Sequence, residues 1–333
     1  MNQSISRAHG TGGRSTHELI RKLFLPYLGN DHLSPNDAAE IPWASKSLVV
    51  TTDTTVVDPL IFPGGDAGKL SVTGGINDLL TRGARPQYAS MGFVLSENLA
   101  FDIITRLLKS ISLELTKHQT QFVCGDTKVI SSSEKPGMII NTTLFGSPIN
   151  PNFHLRGIQN GDALVLTGNL GTHGLAILQA RQNLPFKTVF ESDCASLFSL
   201  LEPEIQRGTP ISYMRDVTRG GLAGILHELA KQFDVGFELD ESKLPIQSAV
   251  RSGLSLLGID PLEVANEGVM LVTIPESHSH QLVASLQNHP LGKFAVQVGQ
   301  AVKGSRTPLI LKTTVGGERI INWPEALNLP RIC

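Results

Sequence analysis

The sequence predicts an α/β (α+β) protein of two domains, and three observations carry that prediction. Helical and strand patterns interleave along the whole chain, its 333 residues exceed what one hydrophobic core normally organises, and a polar, proline-containing break falls at 147–152. Taken in order, Ala8-His9-Gly10-Thr11-Gly12-Gly13-Arg14-Ser15 is a glycine-rich loop. It leads into apolar residues at helical spacing, Leu19, Ile20, Leu23 and Phe24, with Ser15 and Glu18 in capping-box positions. Residues 1–45 thus read as a glycine-rich segment and helix. Ser47 to Asp53 is a β-rich run that ends in an acid, and Gln121 to Asp126 repeats the arrangement. Lys69 to Leu80 and Phe101 to Lys117 have the spacing of helices. These elements form a first domain, 46–150. A second, 151–323, opens with Asp162 to Gly168, a strand into a turn, and continues with helices from about His173 to Gln182 and from Gly220 to Lys231 and a strand at Val269 to Ile274. The last ten residues, 324–333, read as a tail: Pro324 and Pro330 oppose a helix. Fully extended, such a tail spans roughly 33 Å.

Composition narrows the function. The 28 basic and 30 acidic residues nearly cancel and no long basic run occurs, so the footprint of a nonspecific nucleic-acid binder is missing. No apolar run approaches the roughly 18 residues of a membrane span, and the first residues lack a signal-peptide layout. The three cysteines, Cys124, Cys194 and Cys333, contain no CxxC pair. A reduced, cytoplasmic protein that meets neither membrane nor nucleic acid is expected.

Several residues invite chemistry. Cys333, at the end of the tail, is a thiol free to travel; the adjacent terminal carboxylate disfavours its thiolate, and Arg331 is the nearest group to offset that. Asp53, Asp78, Asp126 and Asp216 each stand beside a small or turn-forming residue, and carboxylates from distant segments are what a Mg-nucleotide site requires. Gly10-Thr11-Gly12-Gly13, Gly64 to Lys69 and Arg219-Gly220-Gly221 can offer backbone N–H groups to phosphate, with Arg14, Lys69 and Arg219 adding charge. The middle segment is no Walker A loop: Gly64 and Gly68 are one residue too close, and Leu70 stands where Ser or Thr is needed. Lys128, two residues past Asp126, suits charge neutralisation at a transferring phosphoryl group, and Glu267, before an apolar strand, suits a general base. His173 and His227 read as packing or surface residues, and Cys124 as core filler or at most a nearby thiol of no assigned role.

Together these segments resemble the HypE family of hydrogenase-maturation carbamoyl dehydratases, in the superfamily of aminoimidazole ribonucleotide synthetase, selenophosphate synthetase and thiamine-monophosphate kinase. The resemblance rests on Ala8 to Gly13, Thr52-Asp53-Thr54, Phe62 to Leu70, Asn77-Asp78, Gly83-Ala84-Arg85-Pro86, Gly125 to Val129, Ser192-Asp193-Cys194, Arg215 to Gly221, Ala265 to Gly268, His289 to Lys293 and Pro330 to Cys333. It implies a two-domain PurM-like fold that dimerises through the first domain, with ATP in an intersubunit cleft bound by Gly12, Gly13, Lys69, Asp78, Asp126, Arg219 and Gly220. Asp53, Asp78, Asp126 and Asp216 become candidate Mg2+ ligands. It also implies a reaction: HypF loads Cys333 with a carboxamide, ATP phosphorylates the amide oxygen near Lys128, Glu267 takes a proton, and a thiocyanate remains for HypC and HypD. The chain departs from the family at Thr172, commonly Asp, and at Gly74-Gly75-Ile76-Asn77-Asp78, where Gly-Thr-x-Asn-Asp is usual. A sister small-molecule kinase or synthetase, and a non-catalytic thiol carrier, are the competing readings, and only the dehydratase needs both Cys333 and turnover.

Overall fold

The structure, a computed structural model, describes residues 4–6, 9, 14–30, 41–131, 137–303 and 308–324. These form two compact units, one of 4–79 and 84–148 and the other of 80–83 and 149–324. The short insertion joins the second unit because Leu80 packs in that unit's core and the Gly83 carbonyl accepts the Ile149 N–H at 2.9 Å.

The first unit begins with α1 (Arg14–Leu19), a π-helical turn (Ile20–Phe24) and α2 (Leu25–Leu28). The expected capping box is corrected: α1 already includes Ser15, and Glu18 pairs forward with Lys22 at 3.1 Å. Then come β1 (Val49–Thr55), the small hairpin of β2 (Ile61–Phe62) and β3 (Gly65–Asp66), and α3 (Ala67–Thr81). They are followed by β4 (Ala84–Ser96), α4 (Phe101–Lys117), β5 (Gln121–Ile130) and β6 (Met138–Pro148). The sheet order is β1-β6-β4-β5, antiparallel except between β4 and β5, which α4 connects as a crossover. Ile104, Leu107, Leu108, Ile111 and Leu115 recur at helical spacing and are buried, so α4 presents one apolar stripe inward. α3 lies on the sheet face that carries Thr51 and Leu144: a Cβ on Gly75 would touch both side chains.

Strand alternation sends the neighbouring residues to the opposite face. By register, Thr52, Thr143, Ser90 and Cys124 form one row there, and Thr54, Asn141, Gly92 and Asp126 the next. Asn141 binds the hydroxyls of Thr52 and Thr54, at 3.3 and 2.8 Å, and Val50 is half exposed. Cys124 is only partly buried in this polar row, so it is not core filler.

In the second unit the strands are β7 (Asp162–Leu166), β8 (Tyr213–Asp216), β9 (Val235–Asp240), β10 (Met270–Pro275), β11 (Val296–Lys303), β12 (Leu309–Lys312) and β13 (Glu318–Ile320). The helices are α5 (Thr172–Gln182), α6 (Phe198–Arg207), α7 (Gly221–Phe233), α8 (Ser248–Leu256) and α9 (Glu276–Gln287). The strands form one sheet in the order β13-β12-β9-β11-β7-β10-β8. Both faces of its centre are covered. Leu222, Ile225, Leu226 and Leu229 of α7 pack against Leu164, Leu166, Phe237 and Leu271. On the other face, Leu201 and Ile205 of α6 and Leu282 and Leu286 of α9 meet Val165, Met214 and Val272. Double coverage explains why β7 and β10 read as continuous apolar runs rather than alternating ones.

Candidate functional site

The first unit holds two separate groups of candidate residues. Asp53 and Asp78 share the seam between β1 and α3. Thr51, two residues before Asp53 on the same strand face, donates from its hydroxyl to Asp78 Oδ2 at 2.8 Å. A Cβ on Gly74, one helical turn before Asp78, would lie 3.6 Å from Asp53 Oδ2, so the carboxylate rests over the helix where a glycine leaves room. At the other end of α3, the buried Asp66 accepts the Lys69 N–H at 2.9 Å and the Ser110 hydroxyl at 2.6 Å. That carboxylate fixes the start of the helix. Lys69 Nζ donates to the Gly64 carbonyl at 3.2 Å, which draws the glycine-rich turn against the helix N-terminus. Asp66 was not singled out from the sequence, although an acid three residues before the first helical amide it caps is a legible signal.

Asp126 and Lys128 form the second group. Both project from β5 on the sheet face opposite α3 and α4, 69% and 66% exposed, with Lys128 Nζ 2.8 Å from Asp126 Oδ2. The Lys128 hydrogen bond holds the Asp126 carboxyl below the usual carboxylate range against the opposing effect of burial, with the Thr127 N–H adding to the lowering. β1 and β5 are the two edges of this sheet, so three strand spacings, or ~14 Å, separate Asp53 from Asp126. They also point to opposite faces. One copy of this unit therefore does not bring its three proposed carboxylates, Asp53, Asp78 and Asp126, together. The expectation that Asp53 and Asp126 end strands is corrected as well: both lie within strands whose ladders continue past them, while Asp78 lies in the last turn of α3, within the helix expected from Lys69 to Leu80.

The second unit places Asp216 as expected, at the last residue of β8. Arg215 reaches Asp216 at 3.8 Å and Glu228 at 3.4 Å. The chain then turns through Arg219, which is exposed, and Gly220, left-handed at φ 76°, into α7. Gly221 is also left-handed, at φ 60°, and a Cβ there would lie 2.4 Å from the Leu262 carbonyl oxygen. This turn is consequently closed to any other residue. It presents the first amides of α7 beside an arginine, an arrangement suited to phosphate.

Glu267 is 5% exposed. Its neighbour Asn266 is fully buried: the side-chain amide donates to the carbonyls of Val217, at 3.2 Å, and Val264, at 2.9 Å, while its oxygen accepts the Gly171 N–H at 2.7 Å. The Asn266 N–H itself bonds the Val217 carbonyl at 2.9 Å, so the Glu267 loop is tied directly to the residue after Asp216. His173 is a packing residue, fully buried, with Nδ1 2.7 Å from Ser192 Oγ. His227 is buried too, with Nε2 2.9 Å from the Ile321 carbonyl and its ring stacked on Trp323.

No cluster of three or more metal-ligating side chains occurs among the described residues. Two carboxylates on the β1–α3 seam nonetheless suit magnesium, which keeps several waters and shares the oxygens of a bound phosphate. Gly12, Gly13 and Cys333 lie outside the described residues. No helix among those residues is long and apolar enough to cross a membrane.

Comparison with known proteins places this geometry. The family model for the AIR synthase related protein, N-terminal domain, matches residues 35–147, and that for the C-terminal domain matches residues 159–312. The carbamoyl dehydratase HypE of Bradyrhizobium diazoefficiens is 38% identical over 335 aligned residues, covering 100% of this chain and 97% of that protein. The crystal structure of the hydrogenase maturation protein HypE in complex with ATP superposes with a TM-score of 0.92 at 38% identity, over 98% of this chain and 99% of that one. A HypE chain from a HypE–HypF complex gives 0.79 at 33% identity, over 91% and 99%.

Proposed function

The chain belongs to the HypE family of hydrogenase maturation proteins, and from that premise we propose that it is an ATP-dependent carbamoyl dehydratase acting on its own Cys333. The observation that carries the reading is the placement of Glu267: a carboxylate withdrawn from solvent on a loop whose backbone is hydrogen-bonded on both sides is built to act as a base, not to solubilise a turn. ATP is a substrate, as the ATP complex of the relative supports. Gly12 and Gly13, Lys69 at the start of α3 and Arg219-Gly220 at the start of α7 are the proposed phosphate contacts, together with Asp78 and Asp126. Mg2+ is proposed at Asp53 and Asp78, with Asp126 and Asp216 as further ligands; when bound it supplies charge neutralisation on the phosphates.

The chemistry balances as follows. The carboxamide oxygen on the Cys333 sulfur attacks the terminal phosphorus of ATP, ADP leaves, and one N–H proton is lost, giving an O-phosphorylated imidate. Removal of the second N–H proton expels inorganic phosphate and leaves S–C≡N. Lys128, once drawn from Asp126, stabilises charge on the transferring phosphoryl group, and Glu267 accepts the proton. Carrying the substrate on the same chain replaces a bimolecular encounter with an intramolecular one.

HypF is the proposed donor of the carboxamide, in keeping with the HypE–HypF complex of the relatives, and HypC with HypD the proposed cyanide acceptor for a NiFe hydrogenase. A homodimer through the face of the first unit's sheet opposite α3 and α4 is proposed on two grounds: that face carries a half-exposed Val50, and among the described residues neither edge of the sheet is paired with a further strand. Intact mass tests the reaction. Carbamoylated protein given Mg-ATP loses about 18 Da, the mass of water, with no such change in Cys333→Ala and none in Glu267→Gln. An unchanged adduct with ATP bound overturns the dehydratase and leaves a thiol carrier.

A further inference from the structure

The segment Ser192-Asp193-Cys194-Ala195 has no part in the chemistry above, yet it grips the loop that holds Glu267. The Glu267 N–H donates to Asp193 Oδ1 at 3.0 Å. From the other side, the Ala195 N–H approaches the Glu267 carbonyl at 3.4 Å. Between these, the Asp193 backbone carbonyl sits so close over Gly268 that a Cβ there would lie 2.0 Å from its oxygen, which makes glycine obligatory at 268. The segment is itself anchored. Ser192 Oγ accepts the Cys194 N–H at 3.0 Å and lies 2.7 Å from Nδ1 of the fully buried His173 on α5, and Cys194 is buried. With Asn266 tied to Val217, Val264 and Gly171, each backbone neighbour of Glu267 is held by a different part of the second unit.

A backbone amide needs no carboxylate to satisfy it, since a carbonyl serves as well in an ordinary turn. A side-chain acceptor aimed at 3.0 Å at the amide of a single residue instead fixes where that residue's side chain begins. We propose that Asp193 is a positioning residue for the dehydration step, setting the place and direction of Glu267 through its backbone. This rests on the reading of Glu267 as the base.

The test uses full-length protein carbamoylated at Cys333 and followed through a single turnover by intact mass. Asp193→Ala is expected to slow thiocyanate formation at saturating Mg-ATP by about tenfold to a hundredfold, the scale of a misplacement near 1 Å, with the KM for ATP within about twofold of wild type. Asp193→Asn, which keeps an acceptor oxygen at the same place, is expected to recover most of the rate. Hydrogen exchange at the Glu267 amide is expected to quicken in Asp193→Ala and not in Asp193→Asn. The proposal is overturned if Asp193→Ala turns over at the wild-type rate, if both variants lose rate equally, or if the KM for ATP rises in step with the loss of rate. Should Asp193→Ala fail to fold, the rate and amide exchange of Asp193→Asn beside those of Ala195→Gly decide the matter, and an Asp193→Asn as slow as Glu267→Gln overturns it. Glu267→Gln also separates the two claims: if it keeps the wild-type rate, the base assignment fails; if it abolishes turnover while Asp193→Ala is indifferent, positioning alone fails.

Discussion

Replacing Gly221 by alanine at the mouth of α7 should be among the most damaging one-methyl changes available to this protein. Two costs add. The residue holds φ at 60°, a left-handed conformation that costs a residue with a Cβ about 1–2 kcal/mol. The new methyl would also lie 2.4 Å from the Leu262 carbonyl oxygen, 2.6 Å from the Glu263 carbonyl carbon and 2.8 Å from the Val264 nitrogen. All three are backbone atoms and none can rotate aside, so overpacking adds about 1–3 kcal/mol. The sum is about 2–5 kcal/mol. At roughly 2–4 °C per kcal/mol for a unit of this size, the melting transition of the second unit falls by about 4–20 °C. Gly161→Ala is the internal control, because φ there is 84° but nothing stands within 4 Å of a Cβ. It carries the conformational cost without the clash. Melting followed by far-ultraviolet circular dichroism on the two variants separates the terms, and equal shifts for Gly221→Ala and Gly161→Ala would refute the argument from the Leu262–Val264 backbone.

Three further expectations concern the first unit. His118 is pushed down to about 4, first by burial and then by Lys117, although the Glu114 carboxylate is 3.9 Å away. An imidazole kept neutral in the fold and protonated in the unfolded chain contributes stability that is complete above pH ~6.5 and is lost as pH falls from there toward 4; denaturant midpoints across that window should drop less steeply in His118→Gln. Lys128→Met removes the main influence lowering Asp126, so the Asp126 carboxyl, followed by carbon-detected NMR, should titrate at higher pH than in wild type, and an unmoved titration would show that the pair does not persist in solution. Val50→Glu puts a charge on the sheet face opposite α3 and α4 and should convert the proposed dimer to monomer in analytical ultracentrifugation without lowering the melting temperature of the isolated chain; a retained dimer would place the interface elsewhere.

Much of the fold was legible because periodicity survives in the sequence wherever one face is buried. α4 shows it best, since Ile104, Leu107, Leu108, Ile111 and Leu115 alone mark the helix, and the structure begins and ends it at Phe101 and Lys117 as the pattern does. Capping was less legible: Ser15 lies within α1, and a box motif cannot tell whether helical backbone starts before it. The acids were found by their company with small residues, but the inference that they end strands failed for Asp53 and Asp126, because hydrogen bonding to β6 and β4 carries both strands onward and a turn-like neighbour does not stop a ladder. Cys124 read as core filler or at most a thiol without a role, and only the sheet register reveals the polar row it joins. Asn266 and Asp193, which hold the Glu267 loop, were quoted among matching segments without a role. Their partners lie 49 and 74 residues away, a separation that no local pattern encodes.

The position of Asp53 and Asp126 on opposite edges and opposite faces of one sheet bears on how damage would be inherited between copies of the chain. If a working centre draws Asp53 from one chain and Asp126 from another, two dead variants can rescue each other. Asp53→Asn and Asp126→Asn, each inert alone, would on random mixing form half mixed dimers, each with one centre that has both carboxylates and one that has neither, for about a quarter of wild-type turnover. A mixture that stays inert would place both carboxylates in the service of a single chain. By the same arithmetic a chain lacking only one of the acids, mixed equally with wild type, leaves half of the centres working, so each single variant would act in proportion to its dose and only the pair would complement.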